Sequence, residues 1–446
     1  MSASHSTVPH TRILLGLVLG AVVGSGLKYL SANDPAATEW VKWVVRNLTK
    51  PVGDIFLNLL FLAIIPLVFA SLVVGVTRLG GGGNVGRIGA KTLGYFILTT
   101  SFAAIIGLTA VNLIQPGKQL PPETREKLMT KFAKEAGEKL DTQTDFGVQT
   151  FVNIVTRNPL KAFVDKDMLS VIFTAILVGI GLTQIDPHKA KLVTDLMEAI
   201  NQITDFIIRL AMSIAPYAVF ALIFSVTAEF GYEILKALAA FVMTVLLGLA
   251  IHQCVVLPLL VKFLGGMSPI EFFRKIRVTM ITAFSTSSSS ATLPTAMKCA
   301  EEELGVPESV SKFVLPLSAS MNHNGTALFE GVTVMFLAQV FGVDLSIQQQ
   351  LIVLVLCVLT ATGMAGVPGG SLPLIGMVLV VVGVPAGAIA IILGVDRFLD
   401  MCRTTVNVTA DMTTVVFVAR TERGRGTKDE KLAEFANSES PPAKVM

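Results

Sequence analysis

The sequence predicts an all-α membrane protein, on three observations. Of 446 residues, 52% are hydrophobic and only 15% charged, and the mean hydropathy of +0.68 lies outside the range of ordinary soluble domains. Apolar runs long enough to cross a hydrocarbon core of about 30 Å recur along the chain. The last of them, 387–419, nevertheless holds Asp396, Asp400, Arg403, Asn407 and Asp411. Their steps of four, three, four and four residues place them on one face of a helix, as a polar stripe.

Six spans follow from hydropathy alone: 12–30, 51–77, 88–114, 169–184, 195–228 and 233–263. His5, His10 and Arg12 lead straight into the first, without the pattern of a cleavable signal. Segment 116–168 is polar and charged, with a moderately apolar stretch at 148–163, and is expected to be an extracellular insertion with short helices. The four glycines at 80–83 read as a flexible turn. The polar tail, 421–446, reads as disordered. Basic residues cluster in four groups: Arg78, Arg87 and Lys91; Lys189 and Lys191; Lys262, Arg274, Lys275 and Arg277; Arg420, Arg423, Arg425 and Lys428. With the N-terminus inside, all four fall in the cytoplasm, as lysine and arginine do in membrane proteins, and both termini are cytoplasmic. A pI near 8.6 makes no case for a nucleic-acid partner. Cys254, Cys299, Cys357 and Cys402 have no metal or redox spacing and read as small core residues.

Beyond residue 264 the apolar runs are interrupted. Segment 277–297 carries Ser285, Thr286 and then Ser287 to Ser290, closed by Pro294. Hydroxyls in that density compete for the helix backbone. Segment 309–341 is broken by MNHNGT at 321–326, and 347–386 by AGVPGGSLP at 365–373. Non-helical backbone at membrane depth survives only where protein or water covers it. The serine run and the VPGG break are therefore expected to be the tips of two re-entrant hairpins. The order becomes hairpin, broken helix, hairpin, striped helix: two copies of one unit entering from opposite faces. Such inverted repeats, meeting near the midplane, are the mark of a secondary transporter.

A charge at mid-membrane costs about 2.5–3.5 kcal/mol even on lenient insertion scales, so the stripe should face a cavity or a partner. Internal ion pairs holding a bundle together are the plain structural alternative. Arg403 can neutralise Asp400 one turn away, but is not expected to neutralise Asp396 and Asp411 as well, near the stripe's two ends. The expectation is a berth between the two tips for a charged small molecule, with a cation from outside the chain.

Four strings carry a resemblance: SSSSATLP (287–294), NHNGTALFEG (322–331), AGVPG (365–369) and DRFLDMCRTTVNVTAD (396–411). The chain resembles the glutamate/aspartate transporter family, the dicarboxylate/amino acid:cation symporters. That family includes archaeal aspartate transporters, bacterial proton/sodium–glutamate symporters, and animal excitatory and neutral amino-acid carriers. The likeness covers roughly 12–420. It implies eight transmembrane helices plus two re-entrant hairpins, an elevator mechanism and a homotrimer in the bacterial inner (plasma) membrane. After a cytoplasmic 1–11, scaffold helices 1–2 would occupy 12–78 and transport-domain helix 3 would occupy 79–115. Scaffold helices 4–5 (169–232) and transport helix 6 (233–264) follow the 116–168 insertion. Then come hairpin 1 (265–298), broken helix 7 (308–341), hairpin 2 (347–386) and helix 8 (387–420).

The resemblance also assigns roles. Arg403 would clamp the substrate's side-chain carboxylate with its planar fork. Asp400 would take the ammonium, and Thr404 with Asn407 the main-chain carboxylate region. Ser287, Ser288 and Ser289 at one tip, Val367, Gly369 and Ser371 at the other, and Thr326 would complete the pocket. Arg403 and Asp400 together imply an acidic amino acid, since a short dicarboxylate would leave Asp400 unpaired. One sodium site would use Asn322, Asn407 and Asp411; a second would use backbone near Ser318, Ser320 and Met364. A third normally needs an aspartate and a tyrosine, where this chain has Asn324 and Phe96; Thr99, Thr100 and Asn322 remain. Without its negative charge that site is expected to be absent or weak. His323 stands where the family usually has methionine, and Glu330 matches a proton-carrying position. The two could carry protons in place of sodium, or His323 could be a neutral bundle residue and Glu330 a water-facing or arginine-paired acid. No cofactor is implied; transported protons or sodium ions are cargo.

Two other classes stand beside the carrier. Re-entrant loops and polar stripes also build channels, but a channel needs no matched arginine and aspartate. A further alternative keeps the fold and changes the cargo to a neutral amino acid or a C4-dicarboxylate. An intramembrane enzyme finds no nucleophile–base pair at His323, and no HExxH zinc spacing occurs in the sequence.

Overall fold

The structure is a computed structural model describing residues 10–31, 34–79, 84–121, 155–164, 168–230, 233–364, 366 and 368–422, with Glu123 and Glu126. The glycine turn at 80–83, most of the 116–168 insertion and the tail from 423 lie outside the described residues. Among those described, every regular element is a helix. The first half comprises α1 (His10–Ser31), α2 (Pro35–Val44), α3 (Lys50–Leu79), α4 (Asn84–Ile114), α5 (Pro159–Val164), α6 (Met168–Gln184), α7 (Pro187–Phe230) and α8 (Glu233–Ile251), the last continued by a short α9 (Leu257–Leu260) between π-helical turns. The second half comprises α10 (Pro269–Thr286), α11 (Ser289–Glu302), α12 (Glu308–Met321), α13 (Asn324–Val340), α14 (Ile347–Thr362), α15 (Ser371–Val381) and α16 (Leu393–Glu422). Among the described residues, four stretches are long and apolar enough to cross a membrane: Pro35–Thr77, Arg87–Gln119, Pro187–Glu229 and Ile234–Gly265. Leu15–Ser31, Ser170–Gln184, Ile347–Thr362 and Ser371–Val381 are shorter apolar helices.

The six spans read from hydropathy coincide with α1, α3, α4, α6, α7 and α8. The short α2 went unforeseen, although its signals are local: Asp34 caps it by accepting from the Ala36 N–H at 2.9 Å, and Pro35 opens it. Helix α7 also starts earlier than expected, because Asp186 caps the turn before it by accepting from the His188 N–H.

Two neighbourhoods of helices share one continuous apolar core. In one, α7 is the hub and α1 and α3 lie along it, with α6 against α3. Small residues let α1 come close: Gly16, Gly20 and Gly24 repeat every four residues, a spacing that allows backbones to touch in lipid. A Cβ on them would fall 2.5 Å from the carbonyl oxygen of Pro216, 2.8 Å from that of Phe220 and 2.8 Å from that of Phe224. In the other neighbourhood all 17 residues of α13 are buried, and α4, α8, α14 and α16 surround it. Phe329 and Phe336 of α13 both meet Phe241 of α8.

The three interruptions are real breaks. Helix α10 ends at Ser287, whose φ of 51° is left-handed, and Ser288 caps α11 by accepting from the Ala291 N–H. Asn322 and His323 leave helical geometry between α12 and α13, with ψ of 76° and 63°. Gly369, at φ +76°, turns the chain between α14 and α15. Helices α10 and α11 pack on each other, with Thr286 meeting Thr292 and Cys299 meeting the Lys275 carbonyl, and α14 packs on α15.

Replacing Gly20 with leucine should force α1 off α7. Overpacking of this kind costs roughly 1–3 kcal/mol, so the detergent-solubilised protein should melt about 3 °C or more below wild type. An unchanged Tm would show that the glycine stripe does not set this packing.

Candidate substrate and cation site

The stripe on α16 is buried throughout: Asp396, Asp400, Arg403, Asn407 and Asp411 are each at most 5% exposed. Asp396 Oδ1 accepts from Arg403 Nη1 at 2.8 Å. Asp400 Oδ1 accepts from Arg403 Nε at 3.0 Å, while its Oδ2 accepts from Arg397 Nη1 at 3.2 Å and from the Gly369 N–H at 3.2 Å. The Arg403 guanidinium lies 4.2 Å from the centroid of the Phe329 ring, a cation–π contact.

This geometry corrects the expectation that Arg403 could not serve both Asp396 and Asp400. Seven residues are nearly two helical turns, so Asp396 and Arg403 lie on the same face, with Asp400 between them. Arg397, inside the DRFLD string but left out of the stripe, supplies a second guanidinium. Two carboxylates and two guanidiniums then balance. The demand for an outside cation narrows to Asp411, which no arginine reaches among the described residues. It also follows that Asp400 is not left unpaired when no ammonium is present.

Asp411 Oδ1 accepts from Asn322 Nδ2 at 2.9 Å, and the carbonyl oxygen of Asn322 is buried without a partner. A buried carboxylate beside an orphaned amide oxygen is a donor set that suits a small hard cation. Asn407, expected in the same set, faces the other way. Its Oδ1 accepts the N–H groups of Gly325 (2.7 Å) and Thr326 (3.4 Å), and its Nδ2 donates to Thr326 Oγ1 at 3.1 Å. It caps the start of α13 from another helix. Ser318 and Ser320 donate their hydroxyls to carbonyls of their own helix, those of Val314 and Leu317. Met364 packs with Val68 and Leu72 of α3.

The two tips touch. Ser288 Oγ donates to the Gly366 carbonyl at 2.7 Å, and the Ser290 N–H reaches the same oxygen at 3.3 Å. The expected open berth is therefore closed in this conformation, with the tips bonded to each other and one of them bonded to the ladder through Gly369. Ser287 and Ser371, at the two tips, each bury a hydroxyl without a partner. Ser289 and Thr404 are buried nearby, and Val367 lies outside the described residues. A cavity of about 250 Å³ borders the tips, lined by Ser290, Ser320 and Gly366 on one side and Ser71, Glu198 and Asn201 on the other.

Asn324 Oδ1 accepts the hydroxyls of Thr100 (2.8 Å) and Thr99 (3.3 Å), and its Nδ2 lies 3.3 Å from His252 Nε2. Asn322 does not join this cluster, and Phe96 is buried in an apolar cluster with Leu317 and Met321. The neighbouring Tyr95 donates to Thr413 instead. His323 Nδ1 lies 2.8 Å from the Ala361 carbonyl, which fixes the N–H on that nitrogen. Glu330 Oε2 accepts the Thr360 hydroxyl at 2.6 Å, and its other oxygen is buried without a partner. Glu330 is thus neither water-facing nor ion-paired. His323 and Glu330 thus meet consecutive residues at the end of α14. Hydropathy and motif spacing did not single out Arg397, Thr360 or His252. An arginine three residues before Asp400, in a span, was a visible signal for the first; the other two are joined only by folding.

The model of the sodium:dicarboxylate symporter family matches residues 10–421. The chain belongs to that family. Its relatives include the proton/glutamate-aspartate symporter of Escherichia coli, 34% identical over 92% of each chain, and the proton/sodium-glutamate symport protein of Bacillus subtilis, 33% identical over 92% of each. A C4-dicarboxylate transport protein of Bacillus subtilis is 34% identical, over 84% of this chain and 87% of its own. This protein is therefore a cation-coupled symporter, a membrane transporter and not an enzyme. The cations are its cargo, and no cofactor enters.

Asn407→Ala would strip the cap from Gly325 and Thr326 and leave buried donors unpaired. A loss of about 1–3 kcal/mol is expected, read as a lower Tm in detergent without substrate. A melting curve matching wild type would remove Asn407 from the support of α13.

Proposed function

We propose that this transporter imports acidic amino acids, glutamate or aspartate, in symport with cations, and that protons carry much of the coupling. The observation that carries the reading is the buried Arg403 fork between Asp396 and Asp400, beneath the tips that meet at Gly366. Asp396 holds Arg403 Nη1, and the Nε/Nη2 edge, which meets Asp400 Oδ1 in this conformation, is the one a substrate carboxylate takes over, in the bidentate geometry for which arginine is suited. Asp400 receives the ammonium; Ser287, Ser288, Ser289, Thr326, Val367, Gly369, Ser371, Thr404 and Asn407 frame the rest. A neutral cargo would leave Arg403 without a carboxylate to clamp.

Asp411 and Asn322 hold one cation in this reading, with Asn407 nearby on α16 and a second site at the backbone around Ser318, Ser320 and Met364. The third sodium site is absent or weak: with Asn324 closed on Thr99 and Thr100, the cluster holds no carboxylate. Drawing an anion into a negative cell costs about 2.3 kcal/mol per charge per 100 mV, so at least two inward positive charges per turnover are useful. Glu330 and His323 supply proton sites, and their bonds to Thr360 and Ala361 tie them to the second hairpin.

The topology proposed is eight spans and two re-entrant hairpins, in a homotrimer of the plasma membrane with both termini cytoplasmic. Helices around α7 form the scaffold, and α4, α8 and α10–α16 the domain that moves as an elevator. The dense packing of α1 and α3 on α7, and of α4 on α13, supports that division.

Proteoliposome uptake of radiolabelled aspartate across a matrix of Na⁺ and pH gradients tests the coupling. An inward proton gradient should drive accumulation with little sodium. Strong uptake on a sodium gradient alone, indifferent to clamped pH, would sink the proton reading. Glu330→Gln should flatten the pH dependence of uptake. Arg403→Cys should lower kcat/KM for aspartate by roughly a hundredfold or more, the loss of a buried bidentate pair; retained aspartate uptake would remove Arg403 from the site.

A further inference from the structure

The basic groups that the proposed topology places in the cytoplasm leave out Lys28, Lys42, Arg46 and Lys50. Helix α3 opens at Lys50 and runs 30 residues toward Arg78, so these four gather at the opposite end of the molecule. Lysine and arginine are scarce at that end of membrane proteins, and four of them around one cavity need a reason of their own. All four line a cavity of about 1240 Å³ where α1, α2 and the end of α7 meet, with Glu39 and Glu229 the acids among its described lining residues. Neutralisation there is incomplete. Lys28 Nζ donates to the Glu229 backbone carbonyl at 2.9 Å, which satisfies a hydrogen but not the charge. Lys42 pairs with Glu39 at 2.7 Å, an exposed pair of the kind that contributes little. Among the described residues no carboxylate pairs with Arg46.

The chain has two tryptophans, and both stand here. Trp40 and Trp43 on α2 are each 56% exposed, while Val41 is buried against Phe224 and Ala228 of α7. A short helix with one side packed, tryptophan outward and basic residues beside it has the pattern of a helix lying in the membrane–water interface. A π-helical turn, Val45–Thr49, joins α2 to α3, and a 2.6 Å bond between the hydroxyls of Thr49 and Ser225 ties it to α7. Lys42, Arg46 and Lys50 follow at steps of four residues along this run, which keeps them on one side of it.

We propose that this cavity binds the headgroup of an anionic phospholipid, its phosphate held by Arg46 and Lys28 and its acyl chains lying beside Trp40 and Trp43. Charge complementarity selects the occupant. Four basic lining residues stand against two acidic ones, and an excess of fixed positive charge at headgroup depth attracts a phosphate diester. A guanidinium also binds two phosphate oxygens at once. A zwitterionic lipid brings its own cation and gains less. The site draws on α1, α2, α3 and α7 and shares no residue with the charge ladder on α16.

The two tryptophans make the test direct. Full-length protein in detergent micelles with excess phosphatidylcholine is titrated with brominated phosphatidylglycerol or, in parallel, brominated phosphatidylcholine, and quenching of tryptophan fluorescence is followed. Phosphatidylglycerol should half-saturate at a mole fraction roughly tenfold or more below that of phosphatidylcholine, and high salt should narrow the gap. Lys28→Gln with Arg46→Gln should raise the phosphatidylglycerol midpoint by roughly tenfold or more, and Arg46→Lys with Lys28 intact should keep part of the preference. Lys189→Gln with Lys191→Gln, at the other end of α7, should leave it unchanged. Equal quenching by the two lipids in wild type overturns the proposal, and a changed oligomeric state in the double variant would then give this face to a second copy of the chain. An unchanged preference in the double variant overturns it too, as does an equal loss in the Lys189 and Lys191 control, which would make the effect one of general surface charge. Displacement of the lipid by millimolar inorganic phosphate would make the cavity a soluble-anion site and end the lipid assignment. Should the double variant fail to fold, Arg46→Gln alone decides, with a rise in the phosphatidylglycerol midpoint of roughly threefold or more expected and no rise counting against the proposal.

Discussion

A row of buried charges on one membrane-spanning helix dictates most of this architecture. Water cannot reach Asp396, Arg397, Asp400 and Arg403 on α16, so the protein must supply their partners itself. It does so with two guanidiniums for two carboxylates, an aromatic face beneath Arg403, and a backbone N–H from a helix break. The surrounding helices are arranged to make that possible. Helix α13 is buried along its whole length, and its first N–H groups are capped by Asn407 from the charged helix. An interruption that would be costly in lipid becomes tolerable because a neighbouring helix satisfies it.

The second hairpin is the element that connects the parts. Gly369 bonds the ladder, Gly366 bonds the first tip, Ala361 meets His323 and Thr360 meets Glu330. Any change of partner at Asp400, and any proton gained or lost at the broken helix, is therefore felt within ten residues of one hairpin. Coupled transport needs that convergence, because a coupling free energy arises only where two ligands bias one bistable element. The packing of these short hydrogen bonds in a low-dielectric interior makes each partner exchange energetically large.

Comparison with the sodium:dicarboxylate symporters sets the class. Within the buried site, Asn324 closes on Thr99, Thr100 and His252, and Arg397 stands beside Asp400.

How much of this could be read without a fold differs by kind of feature. Spans α1, α3, α4, α6, α7 and α8 were legible because hydropathy over some twenty residues is a local signal. The breaks at Ser287, Asn322 and Gly369 were legible because serine runs, glycine and proline act on their own backbone. The stripe was legible because helical periodicity needs only counting. Who pairs with whom was not. The reach of Arg403 to Asp396 depends on rotamers across two turns. The meeting of Thr360 with Glu330, of Ala361 with His323 and of Ser288 with Gly366 joins residues 30, 38 and 78 positions apart. By itself the sequence determined that charges would be buried on α16 and that three helices would break beside them, since both are properties of short windows. Only the tertiary structure decided that the charges neutralise one another, leaving Asp411 the one acid of the stripe without a guanidinium among the described residues, because electrostatic pairing in a membrane depends on distance in space and not along the chain.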